Sequence, residues 1–143
     1  EAMIRLSRVG YDNTIGYLEG GIKAWKEAGK EVDHVDRLSP EEFATKFNEK
    51  PLVIDVRKKS EYDSEHVVDA LNVPLNQINE HLAQFPKDKP FMVHCAGGYR
   101  SMIAASILKQ RGWDNFVDIR GGFKEIAETK VPKTDYVCPS TLL

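Results

Sequence analysis

Short apolar runs alternate with helical patterns along most of this chain, and this alternation limits the folds that it can adopt. The runs PLVIDV (51–56), FMVH (91–94) and NFVDI (115–119) have the length of strands. The first is continuously apolar, which is typical of a strand buried on both faces. Strands that alternate with helices favour a parallel sheet, so the chain is predicted to be an α/β protein with helices on both faces of the sheet.

Capping residues set the bounds of several predicted helices. Ser39 is an N-cap candidate, because Pro40 suits the first helical position and Glu42 completes a capping box. Another helix follows the loop at 95–98 and stops at Gly112. Apolar residues at helical spacing predict a helix over 76–85. The remaining patterns predict strands at 14–18 and 70–75 and helices at 2–9, 20–29, 121–129 and within 58–67.

The composition excludes several function classes. The 143 residues are 41% apolar and 29% charged, as in an ordinary globular protein. A formal net charge of −2 argues against a nucleic-acid-binding surface. No apolar run approaches the roughly 18 residues needed to cross a bilayer, so neither a nucleic acid nor a membrane is predicted as a partner.

The cysteine and histidine content indicates a reducing compartment and no metal. Cys95 and Cys138 do not make a disulfide framework, and the four scattered histidines offer no metal-ligand spacing. We therefore predict a cytoplasmic protein without a cofactor. The chain begins without Met, inside a helical pattern, and we expect it to be part of a longer protein.

An internal repeat divides the chain. RVGYDNTIGYLEGGIKAW (8–25) matches QRGWDNFVDIRGGFKEI (110–126) when one residue is inserted before the glycine pair. Each copy contains a helix end, a glycine, a strand, two glycines and a helix. We therefore expect residues 1–34 to be the last segment of a preceding homologous domain, 35–134 to be a complete domain, and 135–143 to be a tail.

The loop CAGGYRS places a thiol before a helix. Cys95 follows a strand and precedes a helix N-terminus, whose unpaired N–H groups and dipole favour an anion. Gly97 and Gly98 allow the backbone to turn its N–H groups inward, and Arg100 adds a positive charge. These effects favour the thiolate, so Cys95 is predicted to be a nucleophile in an anion-binding cup.

This loop resembles the active-site loop of rhodanese-domain sulfurtransferases, which commonly reads Cys-x-x-Gly-x-Arg-Ser/Thr. Cys95, Gly98, Arg100 and Ser101 occupy those positions. A second stretch, VIDVRKKSEYDSEHVVDALNVPL, is similar to the family's "DVR" region, and IRGGFKEI resembles its closing "GG" motif. The matching residues of the second stretch are Asp55, Arg57, Glu61, Tyr62, His66, Ala70, Asn72 and Pro74. The resemblance implies a rhodanese-like three-layer sandwich.

Three positions depart from the family pattern. Glu65 and Asp69 stand where the family usually has glycine, and Ile126 replaces the usual Trp, whereas the first copy keeps Trp25. These departures lie away from the loop and concern local turns.

The resemblance implies that Cys95 carries a sulfane sulfur as a persulfide and passes it to a thiol or another nucleophile. Arg100 would stabilise charge or orient the loop. Backbone N–H groups of Ala96, Gly97, Gly98 and Tyr99 would ring the sulfur, and Tyr99 would line the entrance or pack on the helix. Ser101 would hydrogen-bond the sulfur or act as a plain N-cap. Asp55 and Arg57 would form a supporting pair.

The spacing in the loop bears on the substrate. Cys95 and Arg100 are separated by four residues, one fewer than in cysteine phosphatases of related fold, and this favours a single sulfur atom over a phosphate. Because the loop holds no extra cation between them, a persulfide donor such as glutathione persulfide is expected beside thiosulfate. The alternatives are a cysteine-dependent phosphatase or arsenate reductase, and a non-catalytic sulfur-relay module.

The resemblance also suggests a context and partners. Rhodanese domains occur in tandem and fused to metallo-β-lactamase-fold persulfide-processing enzymes, so a fused N-terminal catalytic domain is an expected partner. Small sulfur donors and acceptors are the others: glutathione persulfide, thiosulfate and thiols. Cys138 is either a resolving thiol or a bystander.

Overall fold

The computed structural model describes residues 1–8 and 10–141, apart from the side chain of Pro139. The chain divides into two compact units, Glu1–His34 and Val35–Leu143. In the first unit, helix α1 spans Ala2–Ser7 and helix α2 spans Gly21–Glu27. The strand predicted at 14–18 is absent from this unit, and the prediction is wrong: residues 11–18 have no regular secondary structure.

The second unit is built on a parallel sheet. Its elements are β1 (Arg37–Leu38), α3 (Pro40–Lys46), β2 (Leu52–Asp55), α4 (Lys59–Ser64), β3 (Leu71–Asn72), β4 (Phe91–His94), α5 (Tyr99–Gln110), β5 (Phe116–Ile119) and α6 (Gly122–Ile126). The strand order is β1-β5-β4-β2-β3, and every pairing in the sheet is parallel. The predicted α/β fold is therefore confirmed.

The helices cover both faces of this sheet. Met92 of β4 belongs to a buried cluster with Phe43 of α3 and Ile126 of α6. The adjacent Phe91 points to the opposite face, where its ring stacks on Phe116 with centroids 5.5 Å apart. Helix α5 packs against β4 and β5. The sheet is thus the middle layer of a three-layer structure.

Local sequence accounts for several element boundaries. The Ser39 side chain accepts the Glu42 N–H at 3.2 Å, and the Glu42 carboxylate accepts the Ser39 N–H at 2.7 Å. This is the capping box that the sequence predicts at the start of α3. Gly112 follows α5 with φ +83°, a left-handed conformation that suits glycine at a helix end.

The helix predicted over 76–85 is wrong. This segment forms two 3₁₀ turns, Leu75–Gln77 and Leu82–Gln84, instead of one α-helix. Asn76 and Asn79 have low helix propensity, because asparagine side chains can hydrogen-bond the backbone in non-helical conformations, and a helix of about ten residues is marginal without strong propensity. Ile78 and Phe85 are nevertheless buried. The spacing of the apolar residues in 76–85 therefore indicates which side chains enter the core, but it does not indicate a helix.

None of the helices among the described residues is long and apolar enough to cross a membrane.

Candidate active site

Cys95 lies at the carboxyl end of the central strand β4, directly before the loop that leads into α5. Its residue surface is 1% exposed, and its Sγ accepts the Gly98 N–H at 3.1 Å. Gly98 is the N-cap of α5 and adopts φ +93°, which favours glycine at this position. The turn therefore brings a backbone N–H group onto the sulfur at the start of a twelve-residue helix.

Ser101 supports the loop from within the helix. It is buried, and its hydroxyl donates to the Gly98 carbonyl at 3.2 Å. The prediction that Ser101 is the N-cap is wrong, because Gly98 occupies that position in the left-handed conformation. Tyr99 is the first residue of α5 and is 42% exposed.

The second glycine pair holds the loop from the other side. Phe123 N–H donates to the Cys95 carbonyl at 2.6 Å, and Lys124 N–H donates to the Ala96 carbonyl at 3.0 Å. A Cβ on Gly122 would lie 2.4 Å from the Cys95 carbonyl oxygen, and Gly122 has φ +62°. Only glycine therefore lets α6 approach the backbone of Cys95 this closely.

Arg100 is bound to Glu61 of α4. Two hydrogen bonds of 2.6 and 2.8 Å join its guanidinium to both carboxylate oxygens. The pKa of Glu61 is lowered mainly because its carboxylate accepts these bonds, and the pKa of Arg100 is raised mainly for the same reason. The Cys95 side chain adds a smaller electrostatic contribution to the Arg100 pKa. Arg100 thus carries a charge that Glu61 compensates.

Asp55 and Arg57 form a buried ion pair next to the loop. Arg57 Nη2 lies 2.7 Å from an Asp55 oxygen, and the same nitrogen donates to the Glu65 carbonyl at 2.7 Å. The guanidinium stacks over the Phe123 ring at 4.1 Å. The pair therefore links β2, the segment after α4 and the start of α6.

His94 is the last residue of β4 and directly precedes Cys95. It is fully buried, and its Nδ1 is 3.2 Å from the Cys95 carbonyl oxygen. Its Nε2 has no hydrogen-bond partner and lies 3.9 Å from an Asp55 oxygen. Burial lowers the pKa of His94, so the imidazole is neutral at pH 7.

An open groove of about 300 Å³ borders this ion-pair network. It is lined by α4 and its following residues, the start of α6 and the tail: Arg57, Ser60, Glu61, Ser64, Glu65, Phe123 and Tyr136. The tail is held against the domain, because Val137 N–H donates to the Ser64 carbonyl at 2.7 Å.

A model of the rhodanese-like domain matches residues 39–129. The chain belongs to the rhodanese-like domain family. It is 40% identical over 80 residues to Escherichia coli "Thiosulfate sulfurtransferase PspE", covering 54% of this chain and 76% of that protein. It is 34% identical over 88 residues to Bacillus subtilis "Uncharacterized protein YqhL", covering 62% and 69%. Sulfurtransferases are thus among its relatives.

Solved rhodanese structures resemble the fold. A rhodanese-related protein from Thermoplasma volcanium superposes with a TM-score of 0.63 at 27% identity, over 69% of this chain and 97% of that chain. A rhodanese-like domain protein from Staphylococcus aureus gives 0.62 at 25% identity, over 68% and 97%. The predicted rhodanese-like fold is therefore confirmed.

The departures from the rhodanese pattern are accommodated locally. Asp69 adopts φ +64°, a left-handed conformation that explains why glycine is usual there. Glu65 is extended, with φ −167°, which any residue adopts. Ile126 is fully buried in the cluster of α3 and α6. None of the three alters the loop that carries Cys95.

Sequence reasoning missed two residues that shape this site. Glu61 belongs to the matched motif, but its contact with Arg100 spans 39 positions, and no local pattern predicts it. Gly122 belongs to the repeated glycine pair, which the sequence signalled as a repeat and not as a support of the loop. Cys138, by contrast, is an exposed tail thiol whose pKa is lowered by the hydrogen bond between its sulfur and the Ser140 side chain.

Among the described residues, no group of three His, Cys, Asp or Glu side chains could hold a metal ion.

Proposed function

We propose that this rhodanese domain transfers a sulfane sulfur through a persulfide on Cys95. The observation that carries the proposal is the position of the Cys95 sulfur, which accepts a loop N–H group at the start of α5. Such a position favours a small anion, because backbone donors and the helix dipole stabilise negative charge there. A thiolate before transfer and a persulfide anion after it both meet this requirement.

The reaction consists of two displacements at sulfur. The Cys95 thiolate attacks the outer sulfur of the donor and forms a new S–S bond. The bond between that sulfur and the donor breaks, and the leaving thiolate or sulfite takes the electron pair. An acceptor thiol or cyanide then attacks the terminal sulfur and releases the Cys95 thiolate, so no external oxidant or reductant is needed.

The charges around the loop favour a persulfide donor over thiosulfate. Three arginines surround the loop, and each is paired with a carboxylate: Arg37 with Asp118, Arg57 with Asp55, and Arg100 with Glu61. Thiosulfate is a dianion and gains most from uncompensated positive charge. Glutathione persulfide presents only a small terminal sulfur to the loop, so we infer that it is the better donor.

The loop length supports sulfur over phosphate as the transferred group. Four residues separate Cys95 from Arg100, and the guanidinium is already engaged by both oxygens of Glu61. A tetrahedral phosphate would need a wider ring of donors and a free guanidinium fork.

A steady-state assay with several substrates tests the proposal. Purified protein is given glutathione persulfide or thiosulfate with cyanide as acceptor, and thiocyanate is measured. A separate sample receives an aryl phosphate, and Cys95→Ser is the matched control. Because cyanide also reacts directly with a persulfide, rates are corrected for a sample without protein; we expect thiocyanate above that background from the wild type alone, faster with glutathione persulfide, and no phosphate release. Phosphate release without thiocyanate would contradict the proposal and favour the phosphatase alternative.

A further inference from the structure

The first unit exposes large apolar side chains. Ile15, Tyr17 and Ile22 are 95%, 90% and 64% exposed, and no described residue of 1–34 is buried. Tyr11, Leu18 and Trp25 are exposed as well, and several exposed apolar side chains within one short segment are more typical of an interaction surface than of a solvated one. The second copy of the repeat indicates what such a surface would contact.

The two copies end their first helix in the same way. Gly10 N–H donates to Ser7 and Tyr11 N–H to Leu6, at 3.2 and 2.9 Å. The equivalent bonds of the second copy run from Gly112 to Lys109 and from Trp113 to Leu108, both at 3.0 Å. The values of φ at Gly10 and Gly112 are +93° and +83°. The repeat is therefore structural as well as sequential.

The glycine pairs also share their backbone conformation. Gly20 and Gly21 have φ values of +75° and +57°, and Gly121 and Gly122 have +73° and +62°. Each pair begins a short helix, α2 in the first unit and α6 in the second. The two ends of residues 10–25 therefore keep the backbone conformation that the second copy has inside a complete domain, while the strand between them is unformed.

In the second copy, this segment contacts three successive parts of the domain. The Asn115 amide donates to the carbonyls of Pro86 and Lys89, in the loop before β4. Strand β5 then pairs with β4. Finally, Gly122 lies against the carbonyl of Cys95, in the turn between β4 and α5.

The first copy retains residues for each of these contacts, and they are exposed. Asn13 is equivalent to Asn115, residues 14–18 to β5, and Gly21 to Gly122. A Cβ on Gly21 would meet nothing within 4 Å. Ile22 is 64% exposed, whereas its equivalent Phe123 is 9% exposed.

We propose that residues 10–28 are a docking element that completes a second rhodanese-like fold. The partner that they fit is a polypeptide with a loop, a strand and a strand-to-helix turn, arranged as in residues 86–103. The residues 86–103 of this chain are not that partner, because β5 and α6 already occupy their contacts. The partner is therefore the remaining part of another rhodanese-like domain.

An extended chain tests this proposal. A second copy of residues 35–103 is placed directly before Ala2, which is the equivalent of Ala104, and the added copy carries Cys95→Ser. We expect amide exchange of residues 10–28 to slow by at least about 100-fold relative to the unextended chain. The fluorescence of Trp25 should shift to shorter wavelength at the same time. Sulfur loading of the original Cys95, measured in the same samples, reports separately on the proposed function.

Two variants keep the test specific. Ile22→Asp in the extended chain should abolish the protection, and the same substitution in the unextended chain should leave the exchange unchanged. A transplanted chain, with residues 10–25 in place of 112–126, covers the case in which the added copy misfolds. It should unfold cooperatively, and Gly21→Ala within the transplant should destroy that transition.

Unprotected residues 10–28 in the extended chain, together with loss of cooperative unfolding in the transplanted chain, would overturn the proposal. Protection of residues 10–28 in the unextended chain that rises with protein concentration would identify a second copy as the occupant and would also overturn it. A shift of Trp25 emission when the unextended chain is mixed with phosphatidylglycerol vesicles would identify a lipid surface as the occupant and would also overturn the proposal.

Discussion

At the residue scale, Glu61 connects α4 to the end of the Cys95 loop and compensates the charge of Arg100 there. Its carboxylate takes both hydrogen bonds of the Arg100 fork, so the guanidinium is oriented but electrically compensated. A residue outside the loop therefore governs how much positive charge the loop offers.

The substitution Glu61→Gln tests this role. It removes the negative charge while keeping one hydrogen-bond acceptor for Arg100. We expect the KM for thiosulfate to fall by about threefold to tenfold, because the freed positive charge attracts the dianion. The KM for glutathione persulfide should change less. Asp63→Asn, which removes the carboxylate paired with Lys59 on the same helix, is the matched control and should leave both values unchanged. A uniform loss of kcat without a change in donor preference would contradict the charge argument.

His94 provides a prediction for stability against pH. Burial lowers its folded-state pKa below 6.5. As the pH falls below 6.5, His94 is therefore protonated in the unfolded chain while it is still neutral in the folded chain. Its contribution to stability is complete above pH 6.5 and is lost as the pH falls below that value. We expect the free energy of unfolding to fall there, with a slope from this group of at most about 1.4 kcal/mol per pH unit.

Denaturant titrations between pH 7.5 and 5 measure that slope. His94→Asn keeps a donor for the Cys95 carbonyl and should flatten the slope, while His34→Gln at an exposed site should not. If His94→Asn retained the wild-type slope, the neutral state of the buried imidazole would be wrong.

At the scale of elements, α6 supports the loop that carries Cys95. Its first residues donate two N–H groups to the carbonyls of Cys95 and Ala96, and Gly122 allows the close approach. The loop is thus fixed between α5, which follows it, and α6, which lies against it. The thiol is positioned by backbone contacts more than by side chains.

Gly122→Ala should therefore damage the site. The added Cβ meets the Cys95 carbonyl at 2.4 Å, and we expect a loss of about 1–3 kcal/mol in unfolding free energy. Sulfur loading of Cys95 should slow by at least about tenfold, because the nucleophile is displaced. Gly112→Ala is the matched control, since it has the same left-handed strain but only Lys87 Nζ, at 3.9 Å, near its Cβ. Equal loading rates in the two variants would contradict the role of α6.

The element scale also explains what the sequence could predict. The runs at 51–56, 91–94 and 115–119 have the apolar character and the length of buried strands, and β2, β4 and β5 lie within them. The run at 14–18 has a similar pattern but has no neighbouring strand in the first unit, so pattern alone gave a strand that is absent. The residues of the Cys95 loop are adjacent in sequence, so their chemistry can be predicted locally. Glu61 and Gly122 lie in recognisable motifs, but their contacts with the loop cross the fold and cannot be predicted from those motifs.

At the scale of the whole molecule, every described buried residue lies at position 40 or later. The sheet, the loop with Cys95 and the groove all belong to the second unit. The proposed site for sulfur transfer therefore lies entirely within the second unit, Val35–Leu143.

Deletion of residues 1–34 should leave the stability and the sulfur transfer of the second unit unchanged. We expect the unfolding free energy of the shortened chain to stay within about 1 kcal/mol of the original, because a domain with its own core folds alone. Its rate of thiocyanate formation should equal that of the longer chain. A loss of activity with retained fold would show that the first unit contributes to the site.

The most direct test of a persulfide on Cys95 is the intact mass of the protein after brief incubation with glutathione persulfide and removal of the excess donor. We expect a gain of one sulfur atom in the wild type, lost again on addition of cyanide, and no gain in Cys95→Ser. A wild-type mass that stays unchanged, or the same gain in Cys95→Ser, would contradict it.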